Sequence, residues 1–363
     1  MSTVNQYHRF FIVGITLILC LICSSSALSL QAVTDTVPSR LTDQEFWSMI
    51  EEFSEPDGYF RSDNLLSNEV WMQSIIPDLL LQTKPGGVYM GVGPEQNFTY
   101  IASIKPKMVF ITDIRRGNMH TQLMYKALFE LSTDRADFVA RLFSRKRPDG
   151  LDSTSTVADI FHAYSNAQRS DELVYKENLR LIHDRLVKRH GFPLSSDDLR
   201  GIEYVYHNFW QFGPNLNYNS SGQSFGGRRW HFATYASLMT ETDGSGVSRS
   251  YLANEENFNI VKELEENNLI IPLVGDFAGP KTIRAIGKYL KEHEATIAAF
   301  YLSNVEHYLG SSWLNFCSNV ASLPLDENST FIRASHSGFG GFGRGLTISL
   351  GAMLSETKAC KNR

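Results

Sequence analysis

The sequence predicts an α/β fold: a doubly wound, mainly parallel sheet covered on both faces by helices and carrying a helical insertion. Three observations predict it. Short apolar runs at 88–90, 108–111, 269–274 and 296–302 alternate with segments of helical spacing, and parallel strands buried on both faces read as unbroken apolar runs. The first run ends in Gly91-Val92-Gly93 and the second in Asp113, about twenty residues on, the spacing of a nucleotide-binding βαβ unit. The composition is globular: 363 residues, 42% hydrophobic and 20% charged, are enough to bury a large core. A net charge of −5 gives no basic excess, so neither nucleic acid nor an acidic membrane surface is an expected partner.

The first element is not part of the fold. An apolar run at 10–23 follows His8 and Arg9 and is followed by Ser24, Ser25, Ser26 and Ala27. This reads as a secretory signal peptide cleaved after residue 27, or as a retained N-terminal membrane anchor. The run is shorter than the roughly 20 residues that span a bilayer comfortably. Either way the bulk of the chain is expected on the extracytoplasmic side, in the periplasm or cell envelope. Loss of 1–27 leaves two cysteines, Cys317 and Cys360; a disulfide tying down the tail and a buried thiol are both open readings. Sequons stand at Asn97, Asn219 and Asn328, the first where a helix is expected to begin.

Residues 28–83 are expected to be a helical lead-in, with Phe46, Met49 and Ile50 on one face, closed by the Lys84-Pro85-Gly86-Gly87 break. Residues 84–363 form the main domain. A strand at 88–90 leads through the glycines to a helix at 95–103, then to the strand ending at Asp113. Two helices are expected in 118–145, the second entered through Ser132 or Thr133 as N-cap. Residues 150–260 are polar, helix-rich and studded with aromatics, and read as an insertion or lid. The strand at 269–274, a helix opened by Pro280, the strand at 296–302, a helix from Asn304, and strands near 331–332 and 346–350 complete the sheet.

The chemistry is expected at the carboxyl ends of these strands. Gly91, Gly93 and Asn97 would bring the backbone close to a cofactor, and Asp113 would accept hydrogen bonds from ribose hydroxyls. A tight turn with no ligand is the alternative. Gln96 stands where the third glycine of a dinucleotide fingerprint would fall, and Glu95 puts a carboxylate at the helix start. Both disfavour a pyrophosphate and favour a ligand without that anion, such as S-adenosylmethionine. Arg115 and Arg116 either hold a 2′-phosphate or form a solvated loop pair. Asp276 would face an adenine or cap the following helix, and Asn304 and Glu306 would orient a substrate, with an ordinary N-cap as the alternative for Asn304. In the insertion, His207, Arg228, Trp230, Asp243 and Tyr251 form a candidate substrate wall of aromatics beside charges, with Trp210, Arg229 and His231 nearby. No histidine spacing suggests a metal. The glycine-rich run at 337–343 lacks the Lys-Ser/Thr ending of a phosphate loop and reads as a flexible turn.

The stretches 88–118, 123–145 and 269–309 resemble an uncharacterised bacterial family named after a Leptospira hypothetical protein. Its core is of Rossmann type and similar to that of S-adenosylmethionine-dependent methyltransferases. The resemblance implies that Gly91 and Gly93 flank the methionine part of the cofactor, that Asp113 meets its ribose and Asp276 its adenine. Asn304 and Glu306 would then lie near the reacting centre. Tyr89 and Met90 stand where such enzymes often carry an acidic residue. The function expected is an exported or membrane-anchored methyltransferase-like protein acting on a small molecule. The alternatives are a non-catalytic envelope binding module on the same core and a nucleotide-dependent oxidoreductase.

Overall fold

Apolar runs flanked by Gly and Pro form strands here because nothing in them competes with the sheet. In the computed structural model, which describes residues 36–165, 167–222, 232–336 and 346–360, they give β1 (Val88–Gly91), β2 (Met108–Asp113), β3 (Ile270–Val274), β4 (Ile297–Ser303), β5 (Thr330–His336) and β6 (Leu346–Ala352). The sheet order is β3-β2-β1-β4-β5-β6. All neighbours are parallel except β5 and β6, which pair antiparallel with Thr330 opposite Ala352. This is the doubly wound order, in which the chain reverses direction across the sheet between β1 and β4 and leaves a crevice at their carboxyl ends. β1, β2 and β3 are buried along their whole length, as a sheet with both faces covered requires.

Each crossover supplies a helix. Gln96–Ile104 follows β1, Arg116–Leu131 follows β2 and Thr282–Glu292 follows β3. The second of these is buried from Asn118 to Phe129, polar residues included, because the insertion covers the side that would otherwise meet water. Helices Val157–Ser165, Glu172–His183, Ser196–Phe212 and Tyr235–Thr240 make up that cover before Glu255–Glu266 returns the chain to β3. Ile202, Phe209 and Tyr235 belong to the same buried cluster as the sheet residues, so the insertion shares the sheet's core.

Several boundaries differ from expectation. Asp134, not Ser132 or Thr133, caps Arg135–Leu142, its carboxylate accepting from Asp137 N at 2.8 Å; Ser132 instead ends the preceding helix. The helix expected from Asn304 is a single turn, Glu306–Leu309, separated from Trp313–Ala321 around Gly310 with φ of 48°. The lead-in is only partly helical. Thr42 and Glu45 form a capping box that starts Asp43–Phe53, and Ile76–Gln82 closes the segment, but residues 54–71 between them run as an irregular strap.

Of the two readings left open for the cysteines, the disulfide is the one formed: Cys317 and Cys360 are bonded with Cα atoms 5.8 Å apart, fixing the tail to Trp313–Ala321. Asn97 and the other two residues of its sequon, Phe98 and Thr99, are fully buried, so that sequon is closed to modification. The signal or anchor at 1–27 and the glycine run at 337–343 lie outside the described residues. Among the described residues no helix is long and apolar enough to cross a membrane.

Candidate functional site

A cavity of about 770 Å³ opens at the carboxyl ends of β1 to β4, within the range of small-molecule sites. The turn after β1 forms one wall. Gly93 takes a φ of 79° and lines the cavity, a conformation glycine adopts without strain. Gly91 and Asn97, expected at the cofactor, do not line it. The Asn97 amide donates to the carbonyls of Val92 (3.0 Å) and Pro94 (2.8 Å), and its Oδ1 accepts from the Tyr89 hydroxyl at 2.9 Å. A Cβ at residue 91 would fall 1.9 Å from that Oδ1. Both residues therefore hold the turn rather than touch a ligand.

The helix start beyond this turn is the usual place for a phosphate; no side chain caps it here, and its N-cap residue Glu95 makes its side-chain hydrogen bonds with the strap. The Glu95 carboxyl is fully buried against Ser67 N, 3.3 Å from both oxygens, and burial pushes its pKa up to about 8. The start of Thr282–Glu292, by contrast, is filled by a side chain. Glu55 from the strap accepts from the backbone N–H groups of Asp276 (3.0 Å), Lys281 (2.7 Å) and Thr282 (3.1 Å). Glu55, not Asp276, therefore supplies the acceptors at that helix start. Asp276 folds onto Ala278 N at 2.9 Å and lines the cavity.

Asp113 ends β2 in the cavity wall. Its Oδ1 accepts from Arg115 N at 2.9 Å and lies 3.4 Å from Arg115 Nε, while Arg115 Nη1 donates to the Asp63 carbonyl at 2.6 Å. Arg116 pairs with Asp198 at 2.6 Å, and its N–H donates to Asp57 at 2.7 Å. Arg115 is buried, while Arg116 is paired yet keeps 40% of its side chain exposed. Together they tie the strap and the insertion to the end of β2.

Ser303 and Asn304, at the end of β4, line the cavity. Glu306 does not: its carboxylate pairs with Arg333, which also meets Glu356 at 2.8 Å. Of the wall expected in the insertion, the described residues His207, Asp243 and Tyr251 do not line the cavity. His207 is exposed and packs against Tyr175 and Trp210. Asp243 closes its own loop on Ser245, Val247 and Arg249. Tyr251 is buried among Phe98, Phe129 and Phe138 and bonded to Tyr235. Arg228 and Trp230, with Arg229 and His231, lie outside the described residues.

The opposite wall comes from residues that sequence reasoning passed over. The strap contributes Tyr59, Phe60, Arg61, Asn64 and Glu69, and the insertion contributes Tyr218 and Phe232. One signal was available, Pro56-Asp57-Gly58, a turn sequence inside the presumed helical lead-in. A Cβ on Gly58 would sit 2.5 Å from Ile114 Cγ1, so the strap passes directly over the end of β2. A second hollow, of about 580 Å³, surrounds His190 and is lined by paired charges.

A model of a family described as a domain of unknown function, DUF7790, matches residues 65–345. The chain belongs to the DUF7790 family. The match spans β1 to β5 and every block on which the sequence resemblance rests, 88–118, 123–145 and 269–309. It begins at Leu65, so Glu69 lies inside the DUF7790 segment and Tyr59 to Asn64 precede it. No curated protein matches the chain.

Proposed function

We propose that this chain binds an adenosyl ligand in the cavity and is an S-adenosylmethionine-dependent methyltransferase acting on a small molecule, in line with the core its sequence resembles. The observation that carries the reading is the convergence of Gly93, Asp113, Asp276 and Asn304 on one hollow of nucleoside size, while Glu55 occupies the helix start at Thr282, one of the places where a pyrophosphate would be held. Among the described residues lining the cavity, Glu69, Asp113 and Asp276 stand against Arg61 as the charged side chains. That balance suits a sulfonium and opposes a phosphate.

Asp113 would accept the ribose hydroxyls, Asp276 would face the adenine, and the backbone at Gly93 would pass beside the methionine portion. When bound, the cofactor supplies an electrophilic methyl group. The chain's own residues would position the acceptor near Asn304 and Ser303, and such positioning provides most of the acceleration in an in-line transfer. Arg116 pairs with Asp198, Arg115 Nη1 donates to the Asp63 carbonyl, and neither arginine lines the cavity, which argues against the oxidoreductase alternative that needs them for a 2′-phosphate.

A second reading is favoured by the Cys317–Cys360 disulfide, which belongs in an oxidising compartment, together with the apolar run at 10–23. Under it the chain is exported or membrane-anchored, and the same cavity serves a non-catalytic envelope module. Calorimetry on the full chain separates the three readings. Binding of S-adenosylhomocysteine with none of NADP supports the adenosyl site. NADP binding instead revives the oxidoreductase, and binding of neither leaves the envelope module ahead.

A further inference from the structure

The wall formed by Glu69, Gln96 and Ser303 lies where the ends of β1 and β4 diverge. Glu69 is 1% exposed and Gln96 3%. Ser303 Oγ donates to Glu69 Oε1, and the Gln96 amide nitrogen donates to Tyr301 Oη at 3.1 Å. Glu69 Oε2 and Gln96 Oε1 have no hydrogen-bond partner among the described residues. Asn64 Oδ1, in the strap across the cavity, is a third unpartnered acceptor. Buried acceptors left without donors are costly, and three on one cavity describe a guest rich in N–H groups. The aromatic walls add a preference for charge. Phe60 and Tyr308 pack at 5.2 Å between centroids, and Tyr218 and Phe232 at 5.4 Å. The Arg61 guanidinium sits 5.6 Å from the Tyr308 ring centre, so one cation is already held on that ring.

We infer that the Glu69–Gln96–Ser303 wall is a subsite for an ammonium group, with Glu69 Oε2 and Gln96 Oε1 as its acceptors. The inference rests on the cavity being the ligand site, and stands whether or not the ligand is adenosyl. The ammonium belongs either to an amino-acid tail on the nucleoside or to a separate amine partner; the chemistry at Glu69 is the same. Burial holds the Glu69 carboxyl above its ordinary pKa, although the neighbouring Ser303 and Tyr301 hydroxyls pull the other way. A cation beside it reverses that preference and favours the carboxylate.

The test is calorimetry on the full chain and on Glu69→Gln, which keeps an acceptor for Ser303. The probes are S-adenosylhomocysteine, 5′-methylthioadenosine (the same nucleoside without the amino-acid tail), phenethylammonium and its uncharged counterpart 2-phenylethanol. A tail ammonium at Glu69 means that Glu69→Gln weakens S-adenosylhomocysteine by about tenfold or more and leaves methylthioadenosine within about twofold. A separate amine means that the wild type prefers phenethylammonium to phenylethanol by about tenfold and Glu69→Gln loses the preference. If neither difference depends on Glu69, the inference is overturned. If no adenosyl compound binds but the ammonium preference is present and lost in Glu69→Gln, the adenosyl reading fails and the subsite stands. Should Glu69→Gln not fold, the wild type decides alone: S-adenosylhomocysteine bound no better than methylthioadenosine, together with phenethylammonium bound no better than phenylethanol, overturns the inference.

Discussion

Asp113→Ala lowers affinity for S-adenosylhomocysteine by about 100-fold, roughly 3 kcal/mol, the worth of one or two hydrogen bonds from a ligand to a carboxylate. Asp113 is placed for this by its position and by its neighbours. It ends β2 beside Gly275, just past β3, whose N–H donates to the Asp113 carbonyl at 2.8 Å, so its backbone is fixed against β3. Arg115 N and Nε hold Oδ1, which keeps the side chain in the cavity wall. The substitution also removes the partner of Arg115, so stability has to be followed separately. Asp113→Asn keeps an acceptor for Arg115 N and is expected to restore the urea midpoint while leaving binding weakened. Wild-type affinity in Asp113→Ala would show that the ligand, if any, does not use this carboxylate.

His190→Ala has the largest expected effect on stability. The ring is nearly buried, with Nδ1 2.7 Å from Asp43 Oδ1 and Nε2 2.7 Å from Glu130 Oε2. Both ring nitrogens thus face a carboxylate oxygen, and the ring bridges the two acids. It joins the helix Asp43–Phe53 to the buried helix Arg116–Leu131, where Lys126 also meets Glu130 at 2.9 Å. Burial, the largest single influence on Glu130, raises its pKa, but the hydrogen bond from His190 and the charges of Lys126 and His190 outweigh it and leave it lowered. A carboxyl with a lowered folded-state pKa stabilises above its ordinary value of 4.5 and loses that contribution as pH falls through the lowered one. Without His190, Glu130 keeps its burial penalty and loses a partner. The expected cost is about 3 kcal/mol near neutral pH, read from urea unfolding. It shrinks as pH falls and Glu130 is protonated, which relieves a buried carboxylate left with Lys126 and Arg185 alone. A cost below about 1 kcal/mol that does not change with pH would mean that the ion cluster is ornamental to the fold.

The strands were legible because a parallel strand buried on both faces has one local signature, an apolar run stopped by Gly, Pro or Asp. β1 to β4 appear within a residue or two of where that signature puts them. The sixth strand's antiparallel pairing was not legible, since strand direction is set by the connection and not by the residues of the strand. Within the site, Asp113 and Asp276 were readable from position alone, because strand ends in this topology face the crevice. Asn97 and Glu306 were read the same way and went elsewhere, for a reason no local pattern carries. Asn97 meets three carbonyls in its own turn, and Glu306 meets Arg333 on β5.

The strap was missed because its role is entirely tertiary. Gly58 N donates to the Ile114 carbonyl, Arg116 N donates to Asp57, Arg115 donates to the Asp63 carbonyl and Ser67 N donates to Glu95. None of these partners is near in sequence. Conversely, the aromatics and charges of the insertion looked like a binding wall because core packing and ligand binding draw on the same residue types. Tyr251 and Asp243 are consumed by their own surroundings.

A crystal structure of the full chain grown with S-adenosylhomocysteine addresses the central claim most directly. The expected result is the nucleoside seated over the turn at Gly93, with the ribose hydroxyls on the Asp113 carboxylate and the sulfur end toward Ser303. A nucleoside bound elsewhere, or lying in the cavity with its ribose away from Asp113, contradicts the account and leaves the doubly wound sheet as its surviving part.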